Sequence, residues 1–184
     1  MTRSLYVMRH AKSSWKDSSV PDFERPLASR GERAARSMGH WLARARPSPE
    51  LVLCSTATRA VQTCQLITEP LGNSIKVHFE DGLYGASGTA LLIRLRALPD
   101  KVKSVLLIDH NPGVQDLLIE LASQGDPVRL EEVRAGFPTC AVATLRVSGH
   151  WSELGPSTAC VKGLVMPSTL PSSRSEVEDR QSKR

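Results

Sequence analysis

Leu5-Tyr6-Val7-Met8-Arg9-His10 stands near the start of this 184-residue chain, and its reading decides the fold. A short apolar run bounded by polar residues is the pattern of a strand buried on both faces. Here the run delivers a guanidinium and an imidazole to the strand's carboxyl end, which is where ligands bind in open α/β sheets. The pattern recurs twice. Val105-Leu106-Leu107-Ile108 ends in Asp109-His110 and the turn Asn111-Pro112-Gly113, and Leu51-Val52-Leu53-Cys54 ends in Ser55-Thr56-Ala57-Thr58-Arg59. Three strands ending in His, Arg or both are the makings of an anion pocket.

Between these runs the apolar period changes from continuous to helical. After a polar loop over 12–26, the sequence predicts a helix from Arg30 to Ala45, with Ser29 as N-cap, Glu32 completing a capping box, and Ala34, Ala35, Met38, Trp41, Leu42 and Ala45 facing inward. Pro47 and Pro49 end it. A second helix starts near Ala57 and turns Val61, Cys64, Leu66 and Ile67 to the core before Pro70 and Gly72. Ile75–Phe79 is a weaker strand. Ser87 caps a helix carrying Ala90, Leu91, Leu92, Leu95 and Leu98, and Ser104–Ile108 is a strand followed by a helix over Val114–Ala122. Thr139–Val147 and Gly163–Met166 complete the predicted strands. Alternating strands and helices imply an α/β protein: a single-domain, three-layer α/β/α sandwich around a mostly parallel sheet. The domain covers residues 1–167, and the Ser/Pro/charge-rich stretch 168–184 is expected to be a disordered polar tail.

Composition narrows the function. Forty per cent apolar residues with only 4% aromatic suit an Ala/Leu/Val-rich α/β core, and a net charge of +5 favours an anionic partner. No Lys/Arg block or basic–aromatic interleaving marks a nucleic-acid arm, so nucleic acid is not expected as a partner. Cys54, Cys64, Cys140 and Cys160 lack zinc-ligand spacing, and Cys54 and Cys64 read as small core residues. Met1-Thr2-Arg3 leads straight into a strand without a signal-peptide pattern. No apolar stretch approaches the roughly 20 residues of a membrane span. A cytoplasmic protein with free thiols and no membrane partner is expected.

A phosphoryl-transfer site needs a nucleophile and fixed donors for the equatorial oxygens. Arg9 and Arg59 carry planar forks that match phosphate. The Ser55–Arg59 segment opens a helix, whose free N–H groups favour a nearby anion. Of His10 and His110, one supplies a nucleophile and the other a further donor, since a neutral imidazole nitrogen attacks phosphorus directly. A metal site is the rival use of two histidines, and the flanking guanidinium groups oppose it. His40, His78 and His150 lie in unpatterned contexts and read as structural or solvent-facing. Trp15 and Tyr84 lie in loops near the site.

Arg9-His10-Ala11 resembles the Arg-His-Gly signature of the histidine phosphatase superfamily. Ser55-Thr56-Ala57-Thr58-Arg59-Ala60-Val61-Gln62-Thr63 is similar to its second block, Ser-x-x-x-Arg-Ala-x-Gln-Thr, and Ile108-Asp109-His110-Asn111-Pro112 to the block with the second histidine. Glu24-Arg25-Pro26-Leu27, Gly31 and Phe137-Pro138-Thr139-Cys140-Ala141 resemble the compact SixA-type branch, the phosphohistidine phosphatases. The resemblance spans about Leu5 to Met166. It implies a phosphoglycerate mutase-like fold, His10 as the phosphorylated nucleophile, and Arg9, Arg59 and His110 as the phosphate pocket. Ser13, Arg25 and Asn111 would add phosphate or substrate contacts. No cofactor or metal is implied.

Three departures carry chemistry. Ala11 replaces the signature glycine. Asp109 stands where a small residue commonly precedes the histidine, and strand alternation points its side chain away. The proton donor falls to Glu80 or Asp81, whose surroundings match the larger relatives poorly. Expelling an alkoxide requires a strong general acid, whereas imidazole leaves with far less help. The sequence therefore favours a metal-independent phosphatase acting through a phosphohistidine, with a phosphohistidine protein as its partner. The alternatives are a phosphatase or mutase for small sugar or acyl phosphates, and a phospho-ligand binding module without turnover.

Overall fold

The computed structural model describes residues 2–72, 75–123 and 126–170. Among these residues six strands form one sheet: β1 (Thr2–Arg9), β2 (Leu51–Ser55), β3 (Lys76–Glu80), β4 (Ser104–Asp109), β5 (Val142–Ser148) and β6 (Ala159–Val165), in the order β3-β2-β4-β1-β5-β6. β3, β2, β4 and β1 pair in parallel, while β5 runs antiparallel to both of its neighbours. Five helices among the described residues cover the faces: α1 (Ser29–Arg44), α2 (Thr58–Thr68), α3 (Gly88–Arg96), α4 (Gly113–Ala122) and α5 (Pro127–Ala135).

Side-chain alternation along the strands builds two cores. Leu5, Val7, Leu53, Val105 and Leu107 face α3, α4 and α5, where they meet Leu91, Leu95, Leu117 and Leu118. Tyr6, Met8, Val52, Cys54, Leu106 and Ile108 face α1 and α2, against Met38, Leu42, Cys64 and Ile67. This is the three-layer arrangement expected. Each fully buried aliphatic side chain contributes roughly 1.5–3 kcal/mol of transfer free energy. The continuous apolar runs of β2 and β4 follow from burial on both faces. From β1 the chain crosses to β2, and from β4 it proceeds to β5 on the other side of β1. The carboxyl ends of β1 and β4 thus form a switch point, where a crevice opens between diverging connections.

Several elements differ from the sequence reading. Ala28, not Ser29, is the N-cap of α1, and no side chain caps it. The entry is anchored instead on the loop after β1: Ala28 N–H donates to Lys12 O at 2.8 Å, and a Cβ on Gly31 would lie 2.2 Å from that same oxygen. Ala34 and Trp41 on α1, Ala45 just past its end, and Val61 and Leu66 on α2 are only partly buried. β5 begins at Val142 because Cys140 occupies a left-handed turn at φ 66° and sends its N–H to Arg9 O and His10 O. β6 is longer than predicted, and α5 is an additional helix. The stretch expected to be disordered from Ser168 starts inside a 3-10 turn, Pro167–Thr169, after which Leu170 packs on the α1 side. Its remainder, 171–184, lies outside the described residues.

Candidate active site

Arg9 and Asp109 are Cα partners in the β1–β4 register, so the next residues, His10 and His110, leave the sheet side by side on the α1/α2 face. His10 N–H donates to Asp109 O at 2.9 Å, which carries the pairing one step beyond the strands. The two rings stand 4.8 Å apart, tilted by 53°, and are 7% and 8% exposed.

Hydrogen bonding sets the tautomer of His10. Its Nδ1 lies 2.7 Å from Ala11 O, and a carbonyl only accepts, so Nδ1 carries the proton. Nε2 then bears a lone pair, toward which Arg59 Nε–H points at 3.3 Å. Burial pushes the His10 pKa down to about 4, opposed by the Ala11 carbonyl and reinforced by Arg59, Arg9 and Arg25. Burial likewise takes His110 down to about 3, with His10 and Arg59 adding to it. Both imidazoles are neutral at pH 7. His110 Nε2 shares a 2.8 Å hydrogen bond with Ser55 Oγ at the end of β2.

The block after β2 explains itself through its contacts. Arg59, 5% exposed, lies in the first turn of α2, whose N-cap, Ala57, provides no side-chain acceptor. Thr63, one turn on, donates its hydroxyl to Arg59 O at 2.6 Å and accepts Ala11 N–H at 3.0 Å. Gln62 accepts Leu27 N–H at 2.8 Å. Gln and Thr therefore tie the helix bearing Arg59 to the two ends of the loop that follows the nucleophile.

Asp22, within the polar loop over 12–26, is a hub of the site. Its backbone oxygen accepts from Arg59 Nη1, its Oδ2 from Arg59 Nη2 and from Tyr84 OH at 2.9 Å each, and its Oδ1 from Arg25 Nη2 at 2.6 Å. Arg25 in turn stacks on Trp15 at 3.6 Å. Tyr84 stands edge-on to His110 at 5.5 Å and to Phe23 at 4.9 Å. Only three-dimensional contact reveals Asp22, although its position three residues before Arg25 is a weak signal of an ion pair.

Other named residues divide. Arg9 donates Nη1 to Phe137 O at 3.0 Å, and Asn111 donates Nδ2 to that same oxygen at 3.1 Å and to Gln115 Oε1. The two line a cavity of about 660 Å³ with Gln115, Arg129, Leu164 and Met166. Asn111 thus turns its donor to protein rather than toward His10. Ser13 is buried and its backbone bridges Leu27. Glu80 receives two 2.7 Å hydrogen bonds from Arg94, which occupy both carboxylate oxygens. Asp81 is exposed at the start of a short 3-10 turn. His40, His78 and His150 are exposed.

Asp109 does not turn wholly away. Its Oδ1 accepts His110 N–H at 2.9 Å and lies 3.7 Å from His110 Nε2. Burial raises its pKa to about 8, with the His110 N–H pulling the other way. A neutral acid beside a neutral imidazole is no ion pair, and sets no negative charge against a phosphate.

Among the described residues, no group of three or more His, Cys, Asp or Glu is placed to hold a metal ion, and no helix is long and apolar enough to cross a membrane. The four cysteines are free thiols. Residues 5–87 match the family described as the histidine phosphatase superfamily, branch 1. A protein of Mycobacterium tuberculosis (strain H37Rv) is 38% identical over 87% of this chain and 99% of its own length. The phosphohistidine phosphatase SixA of Escherichia coli (strain K12) is 31% identical over 79% of this chain and 88% of its own. A SixA-type structure from Nakamurella multipartitia superposes with a TM-score of 0.79 at 32% identity, covering 91% of this chain and 97% of that one. The neutral histidine pair, the guanidinium groups around it and these likenesses agree: the chain belongs to the histidine phosphatase superfamily, in its SixA-type branch.

Proposed function

We propose that the protein is a metal-independent phosphatase that removes the phosphoryl group from phosphohistidine in a protein, by way of a phosphohistidine on His10. The observation that carries this reading is the lone pair on His10 Nε2, held neutral by burial and directed at Arg59 by the bond from Nδ1 to Ala11 O. Nε2 attacks phosphorus while the bond from phosphorus to the substrate's ring nitrogen breaks. The leaving imidazole takes its proton from solvent. Water then attacks the phosphorus on His10, releasing phosphate and restoring Nε2. Arg9, Arg59 and His110 stabilise the charge on the equatorial oxygens. Arg25, linked through Asp22, and Ser13 line the approach.

The missing acid supports the choice of substrate. Arg94 holds Glu80, and Asp81 lies in solvent, so neither is prepared as a strong general acid. Imidazole departs without one. The cavity beside Arg9, which adjoins the nucleophile in sequence, offers room for the peptide that flanks the phosphohistidine. Free thiols support a cytoplasmic setting. The test is a panel of phosphohistidine peptide, acetyl phosphate and sugar phosphates, run with and without chelator. Turnover fastest on phosphohistidine and insensitive to chelator is expected, and preference for a sugar phosphate, or loss with chelator, contradicts the reading.

A further inference from the structure

We propose that Asp22 is a positioning residue that aims Arg59 at the reacting phosphoryl group. The proposal rests on the phosphatase reading and deepens it. A guanidinium group offers two forks, one at its end (Nη1 and Nη2) and one along its side (Nε and Nη2). Asp22 takes the end fork with its backbone oxygen and Oδ2, while Nε of the side fork points at His10 Nε2. The remaining Nη2 hydrogen and the Nε hydrogen then face the atom that becomes phosphorylated. Without Asp22, a long side chain with several rotatable bonds has no reason to present that edge.

Two other roles for this carboxylate fit the geometry less well. A group competing with the substrate for Arg59 belongs on the side fork, and Asp22 is on the far end. A proton donor must carry a proton at neutral pH. Although desolvation works against it, hydrogen bonds from Tyr84 and Arg59 keep the Asp22 carboxyl below the usual carboxylate range, so it is ionised. The same carboxylate also accepts from Arg25 and from Tyr84. Its side chain is about half exposed at 53%, so replacing it empties no core.

The test compares Asp22→Ala, Asp22→Asn, Arg59→Ala and the double variant Asp22→Ala/Arg59→Ala, by steady-state kinetics on a phosphohistidine peptide and by calorimetric binding of orthovanadate. Asp22→Ala is expected to lower kcat by about 10–100-fold with KM little changed, as small misplacements of a catalytic group do. Orthovanadate affinity falls with it, and Asp22→Asn, which keeps an acceptor, falls less. In the Arg59→Ala background, removing Asp22 costs no more than about twofold further. Additive losses, tighter orthovanadate binding in Asp22→Ala, or a loss that grows with the leaving-group pKa across aryl phosphates overturns the proposal. Because orthovanadate binding needs no turnover, failure of the phosphatase reading is seen separately from failure of this one. An unchanged melting temperature in Asp22→Asn shows that the fold is intact.

Discussion

The rings of His10 and His110 stand 4.8 Å apart because the residues before them, Arg9 and Asp109, are register partners on adjacent parallel strands. Both strands are buried on two faces, which pins that register: a slip by one residue would exchange the two cores. The packing of the sheet interior thus determines the spacing of the two imidazoles.

If His110 stabilises charge without itself attacking, His110→Ala retains a phosphorylated enzyme but lowers kcat by on the order of 10²–10³, the usual loss for one preorganised donor. Ser55→Ala, which frees the His110 ring without removing it, lowers kcat by less. Steady-state and single-turnover rates check both.

The pH dependence follows from the buried groups. His10 stays neutral above about pH 4, so kcat/KM is flat from pH 5 upward on its account. Asp109 stays protonated to about pH 8 and then places a negative charge beside the pocket. Activity falls above that value in the wild type and persists in Asp109→Asn. Stability carries the matching sign. A folded carboxyl with a raised pKa contributes stability that is full below the unfolded value, roughly 4, and is lost as pH rises through 8. Urea midpoints across pH 5–9 should decline more steeply for wild type than for Asp109→Asn.

Where sequence and structure agree, the agreement has a physical cause. β1, β2 and β4 are legible because strands buried on both faces must be uninterruptedly apolar, and the site residues at their ends are legible by adjacency. α5 was not, because it buries only Val133 and so shows no apolar stripe, though Asp126 as N-cap and Pro127 after it are start signals. The late start of β5 depends on backbone bonds from Cys140 to Arg9 and His10, across 130 residues of chain. Ser55 is legible as the first residue of the block at the end of β2, but its bond to His110, like the bonds of Asp22 to Arg59 and Tyr84, joins segments far apart in the chain.

Thr63→Val retains the shape of a fully buried side chain but leaves the Ala11 N–H without its acceptor. A buried polar group left unpaired costs about 1–3 kcal/mol. Chemical denaturation should report that loss, with reduced kcat because the bond that ties Ala11, next to His10, to the helix bearing Arg59 is gone.

Gly31→Ala forces its methyl group against Lys12 O, a backbone atom that cannot swing aside. Overpacking of this kind costs about 1–3 kcal/mol. The thermal midpoint should fall, and with it the activity, since Lys12 follows the nucleophile by two residues.

The central claim is a covalent phosphoryl group on one nitrogen. The direct measurement is rapid quench of the wild-type protein with phosphorylated substrate, followed by phosphorus NMR and peptide mass spectrometry. An acid-labile, base-stable phosphate on Nε2 of His10, absent in His10→Ala together with all turnover, is the predicted result. Phosphate release by His10→Ala at the wild-type rate, or a phosphoryl group found on another residue, contradicts it.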